Sequence, residues 1–140
     1  ILYFIEAREA FEPKIVELAC ERASNEDINK IESALEHMKV RLRYPDLKIS
    51  ADNNFHVALA EATHNFVFVS MMSENIDMIR QVRRKLMKNE ERYQESIKAH
   101  EDIFEAIKSR NCELAIDKTL RHLKSLKENI ANLYKLEKID

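Results

Sequence analysis

The stretch DNNFHVALAEATHN, residues 52–65, sets a carboxylate and an imidazole four residues apart. On a helix that spacing leaves Asp52 and His56 about 40° apart, on a stripe shared with Phe55, Leu59, Ala62 and Thr63. Both polar groups therefore face inward. His100 lies at helical spacings from Ile97, Ile103, Phe104 and Ile107, and His122 from Ala115, Thr119 and Leu126. Three of the five histidines and one carboxylate are thus expected to look into one interior from three helices. A single inward histidine is ordinarily a core residue bonded to backbone. Three of them beside an aspartate are harder to bury separately, because each costs on the order of a few kcal/mol of desolvation when left unpartnered. One divalent cation satisfies all four, and imidazole nitrogens with one carboxylate suit Zn²⁺, Ni²⁺, Fe²⁺ or Mn²⁺.

Other polar groups are weaker candidates. His37, next to Glu36 and near Lys39, reads as solvent-exposed. His64 closes the chain's single Glu-x-x-His, whereas a di-iron bundle needs two such motifs and two further glutamates, so that reading fails. Arg80, Arg83, Arg84, Lys85 and Lys88 form either a solvated helical face or a nucleic-acid strip, with one member free to turn inward toward an anion. Arg8 lies beside the apolar stripe of Phe4, Ala7 and Phe11, where a guanidinium requires a carboxylate or similar partner. Glu12, four residues on, is the simplest one.

The elements that must position these groups are helical. The chain has 140 residues, enough for one domain with its own core, and contains no Gly, two Pro and 45% hydrophobic residues. That composition suits helices and lacks the Gly-dependent turns of hairpins. Apolar spacing predicts helices over about 4–22, about 25–42 (starting at the Ser24/Asp27 signal and including Leu42), 49–63, 66–89, 90–109 and 112–136. The expected fold is an all-α antiparallel bundle of six helices around a central metal and ligand pocket. A seventh arises if Pro13 divides the first segment. RYPDLKIS reads as the clearest loop, and Asn111 as a left-handed helix stop.

A net charge of −2 excludes a dominant basic field for nucleic acid. No segment is apolar and long enough for a membrane span. Cys20 and Cys112 have no CxxC spacing and read as small core residues in a reducing, cytoplasmic compartment. The chain opens on Ile rather than Met, so an upstream segment is expected.

Three blocks carry a family resemblance over about residues 3–123: EAREAFEPKIVELACERASNEDINKIESAL, then DNNFHVALAEATHN, then HEDIFEAIKSRNCELAIDKTLRHL. Together they resemble the FCD domain, the C-terminal effector-binding domain of the FadR subfamily of GntR-type bacterial transcription regulators. The resemblance implies that Asp52, His56, His100 and His122 are the metal ligands, and that Arg8 holds an acidic effector, with Asn65, Arg80 and Arg84 as further effector contacts. It also implies a homodimer that reaches DNA only through a winged helix-turn-helix upstream of this chain. One departure is Thr63-His64-Asn65, where the family commonly has a Gly and an Asn; a His at a position favouring φ > 0 should reshape that turn. The function expected is therefore a metal-dependent sensor of a small carboxylate effector and not an enzyme. Metal-assisted catalysis and a metal-free helical interaction module are the alternatives.

Overall fold

The computed structural model describes residues 2–40 and 44–139, with side chains through residue 135. All of its regular structure is helical. The elements are α1 (Leu2–Arg22), α2 (Asn25–Lys39), α3 (Pro45–Glu61), α4 (Phe66–Met78), α5 (Arg80–Met87), α6 (Glu90–Lys108) and α7 (Cys112–Ile139). The seventh helix does not come from Pro13. That proline sits inside an unbroken α1, because burial of Ile15, Val16 and Ala19 on one side and of Ile5 and Arg8 on the other holds both halves in line. Such packing outweighs the roughly 3 kcal/mol that an interior proline costs. The division falls instead at Ile79, which leaves helical geometry (φ −106°, ψ 22°) between α4 and α5 and buries its side chain completely.

Local signals explain the other boundaries. Ser24 and Asp27 form a reciprocal capping box at the start of α2. Tyr44 is extended and Pro45 takes the first helical position, where its missing N–H is not needed, so most of the expected RYPDLKIS loop belongs to the first two turns of α3. The expected apolar position Leu42 lies outside the described residues. Arg110, not Asn111, adopts the left-handed conformation after α6 (φ 59°). Asn111 instead accepts the Leu114 N–H and caps α7.

α1 packs along α7, α2 on α3, and α6 on α7, around a core containing Ile15, Ile31, Leu35, Phe55 and Phe104. Truncation of one such side chain to alanine costs about 2–5 kcal/mol. A smaller cluster, Ile5, Ile79, Val82, Leu86 and Ile130, joins the start of α1 to α5 and the far part of α7.

Cys20 and Cys112 are not separate core thiols. They form a disulfide, with Cα atoms 5.6 Å apart, that ties the end of α1 to the start of α7. The Arg110 guanidinium brings these ends together by donating to the carbonyls of Cys20 (2.9 Å) and Ala23 (2.6 Å), which the C-terminus of α1 leaves without helical partners. Among the described residues, no helix is long and apolar enough to cross a membrane.

Candidate metal and ligand centre

The period of α3 places Asp52 and His56 one turn apart on its buried face, and both are at most 5% exposed. α6 brings His100, fully buried, against them. His56 Nε2 and His100 Nε2 stand 3.2 Å apart. Asp52 Oδ1 lies 3.4 Å from the first and 3.2 Å from the second. α7 supplies His122, half-buried, with its ring centroid 4.9 Å from that of His100. One nitrogen from each of the three rings falls within a single 4.8 Å cluster.

Protons cannot fill this centre well. His100 Nδ1 lies 2.6 Å from the Ser96 carbonyl, which can only accept, so Nδ1 carries the hydrogen and Nε2 of the neutral ring presents a bare lone pair. Asp52 Oδ1 is buried and has no hydrogen-bond partner, and neither has His56 Nδ1, which stands 3.6 Å from Glu12 Oε1. Electron-rich atoms therefore converge where few donors reach them. Two nitrogens bound to one tetrahedral ion at about 2.1 Å each stand about 3.4 Å apart, close to the spacing of the two Nε2 atoms. The donor set fits a divalent cation, with His100 held in the ligating tautomer by its second nitrogen.

Two buried ion pairs surround the donors. Arg83 donates to Asp52 Oδ2 and to Asn53 Oδ1. Arg8 donates to Glu12. Burial alone would raise both carboxyls, but His56 and Arg83 beside Asp52 outweigh it and hold that group well below 3.8. Arg8, with His56, likewise lowers Glu12 from 4.5. Burial, despite Asp52, drives His100 well below 6.5. Burial, reinforced by the neighbouring charge of His56, brings His122 down to about 4. Near neutral pH His100 and His122 are thus uncharged and available as ligands.

Above the donors lies a cavity of about 220 Å³ between α6 and α7, floored by α1, α3 and α5. Asp52, His56, His122, Arg8 and Arg83 all line it. The other expected effector contacts do not. Asn65 caps α4 by accepting the Val67 N–H. Arg84 turns outward to Asp46 (2.8 Å), and Arg80 reaches the same carboxylate at 4.0 Å. The break at Ile79 directs Arg83 inward instead. Its signal was present in the sequence, since Arg83 shares a stripe with Ile79, Val82 and Leu86, whereas Arg80 and Arg84 lie to one side. Glu12 carried a similar signal through its spacing from Ile5, Arg8, Ile15 and Ala19. His37 is exposed, as its charged surroundings imply. His64 takes φ 57° in the turn after α3 and pairs with Asp27 at 2.7 Å, away from the centre.

Comparison with known proteins agrees with this architecture. The FCD domain model matches residues 4–125. The Uxu operon regulator of Haemophilus influenzae is 30% identical over 139 residues, covering 95% of this chain and 52% of that protein. The galactonate operon transcriptional repressor of Escherichia coli is 30% identical over 111 residues, 79% of this chain and 48% of that protein. The chain thus spans about half the length of these curated relatives. Among solved structures, a GntR-family transcriptional regulator of Pseudomonas syringae shares the fold with a TM-score of 0.82 at 14% identity, covering 99% of this chain and 58% of that one. GntR of Streptococcus agalactiae gives 0.72 at 23%, over 89% of this chain and 56% of that one.

Proposed function

Because the chain belongs to the FCD domain family, we propose that it is the ligand-sensing part of a GntR-type transcription regulator, holding one divalent transition metal ion and a small organic acid. Asp52, His56, His100 and His122 hold the ion, which supplies a positive charge and an open position for a carboxylate oxygen. Arg8 and Arg83 line the same cavity and offer further N–H donors to that carboxylate. Arg83 takes the part that Arg80 and Arg84 were expected to play. The name of the galactonate operon repressor supports a hydroxylated sugar acid as the ligand class. Outside this chain, a DNA-binding segment and a second protomer complete a cytoplasmic regulator. The acid changes DNA affinity only to the extent that it binds the two arrangements of the dimer unequally.

The observation that carries this reading is the buried, partnerless Asp52 Oδ1 facing two Nε2 atoms at the floor of a cavity. The test is elemental analysis of protein purified without a histidine tag, followed by calorimetry with galactonate. About one divalent ion per chain is expected, lost in His100→Ala, with acid binding dependent on the ion. A parent protein that takes up no Zn²⁺, Ni²⁺, Mn²⁺ or Fe²⁺ even at micromolar excess overturns it.

A further inference from the structure

The far end of the cavity carries a cation that the floor does not use. Along α6, Arg92, Ser96 and His100 follow one another at four-residue spacing, so Arg92 stands about 12 Å along the axis from His100. α7 runs antiparallel to α6, and on it Ser125 and Asn129 lie about one and two turns beyond His122. Arg92 and Asn129 therefore share one end of the cavity, and the hydroxyls of Ser96 and Ser125 lie between that end and the histidines.

Arg92 is half-buried, and its guanidinium has no carboxylate at ion-pair distance among the described residues. Three of the other four cations in the lining have carboxylate partners. Arg8 and Arg83 have Glu12 and Asp52. Arg121 has Asp117 at 3.0 Å. Lys118, one turn before His122 on α7, lies toward the opposite end of the cavity, and the Asp102 carboxylate in the lining pairs with Lys98 at 2.6 Å. Glu95, one turn from Arg92, is solvent-exposed and forms no ion pair with it. The lining holds five cations and three carboxylates, Glu12 and Asp117 pair with two of those cations from outside it, and a divalent ion on the floor would add two positive charges. One carboxylate at the metal would leave part of that added charge unmet, and Arg92 is the cation without an ion pair at the far end of the cavity among the described residues.

We infer that Arg92 and Asn129 form a second anion subsite, so that the ligand is an extended hydroxylated acid with another anionic group at its opposite end. Arg92 supplies a forked pair of donors to that group, Asn129 adds an amide donor, and the serine hydroxyls meet the hydroxyls of the chain between. The subsite rests on the reading of the cavity as an acid-binding pocket, and it makes a narrower claim, that dianions outrank monoanions of the same length.

The experiment is calorimetry on the metal-loaded protein with three six-carbon probes: gluconate, which has one carboxylate; glucarate, which has two; and 6-phosphogluconate, whose distal group is a phosphate. Galactonate and galactarate repeat the comparison in the other epimer. At least one of the two probes with a distal anionic group should bind about tenfold or more tightly than the matching monoanion, and whichever it is identifies the distal group as carboxylate or phosphate. Arg92→Gln should abolish the preference while leaving monoanion affinity and melting temperature within error, and Arg92→Lys should restore part of it. Equal affinity for mono- and dianions, or a preference that survives Arg92→Gln, overturns the subsite and leaves the pocket standing. Failure of every acid to bind overturns the pocket and the subsite together.

Discussion

Replacement of Arg83 by methionine tests how the centre is held together. Arg83 and Asp52 are 4% and 5% exposed, so the pair sits in a setting where solvent screens little. Arg83→Met keeps the length of the side chain and removes its charge, leaving Asp52 buried against the His100 ring, which burial keeps uncharged near neutral pH. Breaking one side of a buried pair costs about 3–5 kcal/mol, because the surviving charge keeps its desolvation penalty. For 140 residues the unfolding entropy is about 0.3 kcal/mol/K, which converts that loss into roughly 10–17 °C of melting temperature. The assay is thermal and urea denaturation of the metal-free protein in chelator at pH 7. Asp52→Asn combined with Arg83→Met should recover at least half of the loss, since neither charge then remains. Zn²⁺ should stabilise Arg83→Met more than the parent, because the freed carboxylate binds the ion more tightly. A loss below about 1 kcal/mol, or a double variant no more stable than the sum of the single losses, would refute an ion pair that compensates Asp52.

The remaining predictions concern other parts of the molecule. In the metal-free protein His122 titrates near 4 when folded and near 6.5 when unfolded, so the unfolded chain takes up protons first and stability falls as pH drops from about 6.5 to about 4. His122→Gln should flatten that slope in denaturation curves collected across the range, and an unchanged slope would contradict the burial of the ring. The Cys20–Cys112 disulfide closes a separation of 92 residues, for which loop entropy allows up to about 4–5 kcal/mol; reduction should lower the melting temperature, and two titratable thiols in freshly purified protein with no effect of reductant would disprove the link. Arg84→Gln should change neither stability beyond about 0.5 kcal/mol nor acid affinity, because its partner Asp46 is exposed and outside the cavity; weakened acid binding in calorimetry would count against that placement.

Much of the centre was legible because it depends on short-range periodicity. Asp52 and His56 share a face whatever surrounds α3, and the apolar neighbours of His100 and His122 mark those rings as inward-facing. The capping box at Ser24 is equally local. Other features depend on competition between elements. Pro13 breaks an isolated helix, but α1 is clamped by packing along both halves, so the chain bends at Ile79, where an apolar side chain gains burial by leaving the helical path. That bend decides which arginine of 80, 83 and 84 meets Asp52. Cys20 and Cys112 come together only because α7 returns along α1, a contact across 92 residues to which no local spacing points. The amino-acid order alone therefore determined the helices, their buried faces and the identity of the inward-facing donors, since backbone hydrogen bonding repeats every 3.6 residues. Tertiary packing decided where the helices break, which cation neutralises the carboxylate and how the cavity is shaped, since those depend on burial free energy shared among segments far apart in the chain.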